Sequence, residues 1–194
     1  MIGLVVLWVM YFAIHSLLAD LKVKAWFENN WPTLFPFYRL CYNVIATLGF
    51  AGIWLYQRSL SPNRLIEPNY ILAMLGWVLM GGGIVIGLIA LGNYNLGEFS
   101  GFAYTKNVKA ESLGGLQTGG LNAIVRHPLY LAIFLFFVGS LLSNMTDISL
   151  LLFIVFTAYL LIGIHYEEKK LVVLFGEEYI AYQNKVKRLI PFLL

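Results

Sequence analysis

Apolar residues in this chain come in long runs, and polar residues collect in the breaks between them. Ile2 to Ala19 is uncharged. Further apolar runs extend from about Leu40 to Gln57, between Arg39 and Arg58, and from about Tyr70 to Leu91. A fourth, from Pro128 to about Leu142, is short, and a fifth runs from about Ile148 to Tyr166. A helix needs about 20 mainly apolar residues to cross a bilayer, so the pattern predicts five spans. The break Ser143-Asn144-Met145-Thr146-Asp147 leaves room only for a tight helical hairpin between spans four and five. After them Leu171, Phe175, Tyr179, Tyr182, Val186 and Leu189 recur every three or four residues, the period of one helical face. That tail is expected to lie on headgroups or cap the bundle, with Gly176 bending or breaking it. The expected fold is therefore all-α: a polytopic membrane helix bundle of about five transmembrane helices with an amphipathic helical tail. Residues 1–194 read as one integral membrane domain, with a three-span N-terminal part at 1–112 and a second part at 113–194.

Composition agrees. Of 194 residues, 60% are hydrophobic and 12% charged, against about 25% charged in ordinary soluble domains. The first run has no basic n-region and no clear cleavage site, so it reads as a retained span. Basic residues collect at Lys22, Lys24 and Arg39, at Lys106, Lys109 and Arg126, and at Lys169, Lys170, Lys185, Lys187 and Arg188. Five spans put all three groups on one side and leave Arg58 and Arg64 on the other. The positive-inside rule then places the tail cytoplasmic, at the inner membrane if the source is prokaryotic. Cys41 is the single cysteine. It allows no internal disulfide and no Cys-based zinc site, and it reads as a small packing residue. Gly83 and Gly87 have small-xxx-small spacing, which suits close helix packing better than phosphate binding. His15 reads as a polar group paired within the bundle.

The candidate chemistry sits at the ends of spans four and five. Pro128 suits the first position of a helix. Arg126 and His127 then lie at its N-terminus, where free N–H groups and the dipole favour anions, and Tyr130 is on the same face as His127. Glu167 and Glu168 end span five, and a carboxylate at membrane depth is a functional hypothesis by default. The hairpin brings the two clusters to one side. They suit a zwitterion, with the Glu pair binding a cation and the helix N-terminus an anion. Taken singly, Arg126 and Tyr130 read equally well as interface anchors. His165, three residues before Glu168, has a spacing seen in bundle metal sites, but with three histidines in the chain no metal is expected.

Arg126-His127-Pro128-Leu129-Tyr130, Glu167-Glu168 with Leu171, Phe175-Gly176 with Tyr179 and Tyr182, and Ile190-Pro191 resemble, in order and spacing, the isoprenylcysteine carboxyl methyltransferase superfamily. The likeness covers roughly residues 113 to 191 and includes the approach Leu116-Gln117-Thr118-Gly119-Gly120. His15 to Ala19, Tyr38 to Asn43 and Tyr166 to Leu171 are similar to its NnrU-like and methanethiol methyltransferase branches. The resemblance implies a membrane methyltransferase using S-adenosylmethionine. Its acceptor would be lipophilic, such as a prenylcysteine-like carboxylate, or a small or lipophilic thiol, reaching the site from the bilayer. It implies a catalytic set of Arg126, His127 and Glu167, and cofactor contacts from Thr118, Gly120, His127, Tyr130, Glu168 and Tyr179. Two positions depart from the pattern. Asn122 stands in place of a tyrosine, and Gly163 in place of an arginine that prenylcysteine enzymes carry. Membrane lipids are expected partners and nucleic acid is not. The alternatives are a sterol-type membrane reductase, for which no nicotinamide sequence is evident, and a non-catalytic bundle that binds or senses a small molecule.

Overall fold

The computed structural model describes residues 1–67, 69–92 and 115–191. The protein is an all-α membrane helix bundle. Its helices are α1 (Ile2–Ala19), α2 (Leu21–Asn30), α3 (Tyr38–Arg58), α4 (Tyr70–Gly92), α5 (Pro128–Ser143), α6 (Asp147–Phe175) and α7 (Glu177–Lys185). Among the described residues α1, α4 and α6 are long and apolar enough to cross a membrane. With 21 residues, α3 has the length, but Tyr42-Asn43 and Gln57 make it more polar. At 16 residues α5 is apolar yet short, about 24 Å at 1.5 Å per residue. Lys106 and Lys109, part of the charge argument, lie outside the described residues.

Two compact units divide the described residues: 1–62, and 63–92 with 115–191. The third predicted span, α4, thus groups with the C-terminal half. In the first unit α1 packs on α3. Trp8 is fully buried and its indole N–H donates to Gln57 Oε1 at 3.4 Å. His15 Nε2 lies 2.8 Å from the Tyr42 hydroxyl, the pairing expected of it. The segment between spans one and two contains α2, which the apolar pattern did not predict. Asp20 starts it by accepting from the Lys22 and Val23 backbone N–H groups, an N-cap signal. Cys41 is exposed on α3 instead of packed inside. A thiol is apolar enough for such a surface.

In the second unit, α4 against α5 is the most extensive helix contact. An ideal Cβ on Gly76 would stand 2.6 Å from the Gly139 carbonyl oxygen, and one on Gly83 would stand 2.7 Å from that of Ala132. Only glycine permits this approach, the small-residue packing of membrane helices. The hairpin to α6 is fixed by a capping box, Thr146 with Ser149, and by Asp147 accepting from Asn63.

The fifth span was expected to end near Tyr166, but α6 continues to Phe175. Glu167, Glu168, Lys169 and Lys170 are good helix formers, so loss of apolarity ends the apolar stretch and not the helix. Gly176 ends it, at φ 54°, a conformation that favours glycine. The tail then folds back: Tyr179, Tyr182 and Leu189 are buried, and Leu189 joins a core with Val125, Leu131, Leu160 and Ile164. Of the two expectations for the tail, capping the bundle is the one the structure shows.

Candidate active site

Arg126 and His127 precede α5 in an extended stretch that pairs with the returning tail. Val125 bridges Lys187 in parallel. Arg126 N–H donates to the Lys187 carbonyl at 2.8 Å, and His127 N–H to that of Arg188 at 3.2 Å. Below them the 3-10 turn Gly120–Ala123 supplies Asn122, whose amide donates to the Arg126 carbonyl at 3.2 Å. The Tyr182 hydroxyl donates to the Asn122 carbonyl at 2.6 Å.

Glu168, two turns before the end of α6, is the hub. Arg126 donates to its Oε1 from Nε at 2.8 Å and lies 2.7 Å away through Nη2. His127 Nε2 is 3.2 Å from the same oxygen. Arg188 Nη2 is 3.0 Å from Oε2. The Glu168 side chain is 7% exposed and that of Arg126 8%, so two guanidinium groups neutralise a carboxylate shielded from water, the pairing that burial demands. Arg126 Nη1 also donates to the Gln183 and Val186 carbonyls at 3.0 and 2.6 Å. These carbonyls close the last turn of α7, where cations are favoured. One arginine therefore ties α6, α7 and the start of α5 together.

Glu167 differs from its neighbour. Its side chain is 42% exposed, and its Oε2 lies 3.9 Å from His127 Nδ1. Burial holds the His127 imidazole below its ordinary value, with the Glu167 and Glu168 carboxylates opposing that and the Arg126 charge adding to it; the ring is neutral at pH 7. A carboxylate oxygen only accepts, so Nε2 carries the proton toward Glu168 and Nδ1 keeps its lone pair. Nδ1 and Glu167 are then two acceptors facing each other, too far apart to bond directly. A donor fits between them.

The tyrosines line the same region. Tyr130 stands edge-on to His127 with ring centroids 5.5 Å apart. A Cβ on Gly163 would stand 3.4 Å from the Tyr130 hydroxyl, an ordinary van der Waals distance, so the position that departs from the motif lies directly beside Tyr130. Tyr179 is 1% exposed, and its hydroxyl is buried without a hydrogen-bond partner. Burial, with the Glu168 carboxylate adding to it, pushes that phenol far above its usual value. It therefore stays a neutral hydroxyl, able both to donate and to accept. Arg126, His127, Glu167 and Glu168 thus form one cluster, with Tyr130 against it. Thr118, on the approach to the 3-10 turn, and Gly120, its first residue, are both exposed. Arg188 and the backbone pairing at 125–127 were missed by sequence reasoning. A basic residue just before Ile190-Pro191 was the available signal, but it read as one more positive-inside charge.

The profile of the NnrU protein family matches residues 2–192. Methanethiol S-methyltransferase of Crocosphaera subtropica is 30% identical over 189 residues, covering 92% of this chain and 70% of the relative. The enzyme of the same name from Pseudomonas deceptionensis is 30% identical, covering 97% and 72%. Protein-S-isoprenylcysteine O-methyltransferase of Saccharomyces cerevisiae is 38% identical over 93 residues, 47% of this chain and 39% of the relative. No solved structure matches significantly. The chain is an integral membrane protein and belongs to the NnrU family, among relatives that are methyltransferases.

Proposed function

We propose that this protein is a membrane methyltransferase that uses S-adenosylmethionine and methylates a thiol. The observation that carries the reading is the facing pair of acceptors, Glu167 and the His127 Nδ1 lone pair, beside a buried Arg126–Glu168 ion pair. The residues fit a cofactor with an amino acid tail on two counts. The acceptor pair suits an ammonium donor, and the Tyr179 hydroxyl is a buried donor without a partner. In this reading Glu167, His127, Tyr130 and Tyr179 line the site, with Thr118 and Gly120 at its entrance. Arg126 and Glu168 fix the frame. When bound, S-adenosylmethionine supplies an electrophilic methyl group on a sulfonium.

The protein's own part is mainly positioning and exclusion of water, worth about 7–11 kcal/mol in well-oriented systems. A thiol attacks as thiolate and is only a few per cent ionised at pH 7, so its proton must leave first. His127 Nδ1 and Glu167 are engaged by the cofactor's ammonium group in this reading, so the proton passes to solvent before the thiolate docks. The Gly163–Tyr130 contact favours the thiol: that position offers no cation for an acceptor carboxylate. A prenylcysteine acceptor is the second reading, favoured by the 38% identity to the yeast enzyme. Labelled S-adenosylmethionine, offered with small thiols, prenylcysteine analogues and lipid amines, decides between them. Label is expected in a thioether. Label in a methyl ester instead would transfer the assignment to prenylcysteine.

A further inference from the structure

Arg188 is held by one of its several donors. Its Nη2 rests on Glu168 Oε2 at 3.0 Å, yet its side chain is 45% exposed, and among the described residues that carboxylate is its only ion-pair partner. A guanidinium carries five donors in a fixed fork, so most of the fork faces outward. Glu167 is likewise open, 42% exposed, and among the described residues its one ionisable neighbour within 4 Å is the neutral His127 ring at 3.9 Å, to which it is not bonded. A buried, charge-balanced centre thus carries one outward cation and one outward anion. The contact chain Arg188–Glu168–His127–Glu167 joins them. The Tyr179 hydroxyl, buried without a hydrogen-bond partner, adds an unmet polar group near the same cluster.

We propose that Arg188 and Glu167 form a clamp for an α-amino acid zwitterion, with Arg188 taking the carboxylate and Glu167 the ammonium group. The proposal deepens the S-adenosylmethionine reading and rests on it: the zwitterion is the amino acid end of that cofactor. Arg188 is a binding residue, not a catalytic one. Its place on the returning tail makes the tail part of the site, and the backbone bond from His127 N–H to the Arg188 carbonyl, 3.2 Å, sets its register.

The test is titration of the full chain in detergent with S-adenosylhomocysteine, with its decarboxylated analogue and with methionine. Wild-type protein is expected to bind S-adenosylhomocysteine about tenfold or more tighter than the decarboxylated analogue, as a charge-assisted pair implies. Arg188→Met should lose that preference by weakening only the carboxylate-bearing ligand, and Arg188→Lys should keep part of it. Equal wild-type affinity for the two nucleosides overturns the clamp while leaving the methyltransferase reading intact, and it does so even if Arg188→Met fails to fold. Arg188→Met binding S-adenosylhomocysteine as wild type does also overturns it. Methionine competing at the same concentrations assigns the clamp to free amino acids and overturns the cofactor assignment. Wild-type protein that binds neither nucleoside overturns the clamp and the underlying reading together.

Discussion

At the scale of single residues, the adjacent glutamates have different environments and invite different experiments. Glu168 is enclosed by two arginines and a histidine; Glu167 faces outward. Removing one partner from a buried ion pair leaves an uncompensated charge and costs about 3–5 kcal/mol. Glu168→Ala strands Arg126, so we predict a lower unfolding midpoint in detergent, read by circular dichroism, together with lost binding. Glu167→Gln should leave the midpoint near that of wild type. His127 gives a pH prediction. Its folded value is depressed below 6.5, so the unfolded chain takes up a proton first as pH falls. Its contribution to stability is complete above about 6.5 and is lost as pH drops from there toward the folded value. Midpoints measured from pH 7.5 to 5.5 should fall, and His127→Gln should flatten that slope. The residues Arg126, His127, Glu167 and Glu168 were legible because charge beside an apolar run is conspicuous. The division of labour was not, because it depends on Arg188 returning from 20 residues further along the chain.

At the scale of helices, apolar run length located α1, α3, α4 and α5 to within two residues. It failed at the end of α6, where charged helix formers follow the apolar stretch, and at α2, whose apolar content is too low for a run-length argument. Glycine spacing forecast the close packing at Gly83 but not the tighter crossing of Gly76 on Gly139, since the partner of a glycine lies on another helix. That crossing leaves no room for a side chain: a Cβ on Gly139 would stand 2.5 Å from the Gly76 carbonyl oxygen and 2.8 Å from the Met80 backbone nitrogen. Overpacking costs about 1–3 kcal/mol where side chains can give way, and backbone cannot. We predict that Gly139→Val lowers the unfolding midpoint by at least that equivalent. Gly81→Ala, which meets nothing within 4 Å, should leave it unchanged or slightly higher.

At the scale of the whole molecule, hydropathy was enough for an all-α membrane bundle. It did not give the grouping of α4 with the C-terminal half, which depends on which helix faces fit. We propose that the tail and the cluster face the cytoplasm, because the basic residues of the sequence are biased toward the loops on the cluster's side. A C-terminal alkaline phosphatase fusion should accordingly be inactive and a fluorescent protein fusion bright; the reverse pattern would turn the molecule over. The central claim, that the cluster around Glu168 is the site of a methyl-donor cofactor, is tested most directly by calorimetric titration of the purified protein with S-adenosylhomocysteine. We predict saturable one-to-one binding by wild type, weakened about tenfold or more in Glu167→Gln through loss of a charge-assisted hydrogen bond. Absence of binding by folded wild-type protein, or unchanged affinity in Glu167→Gln, would contradict it.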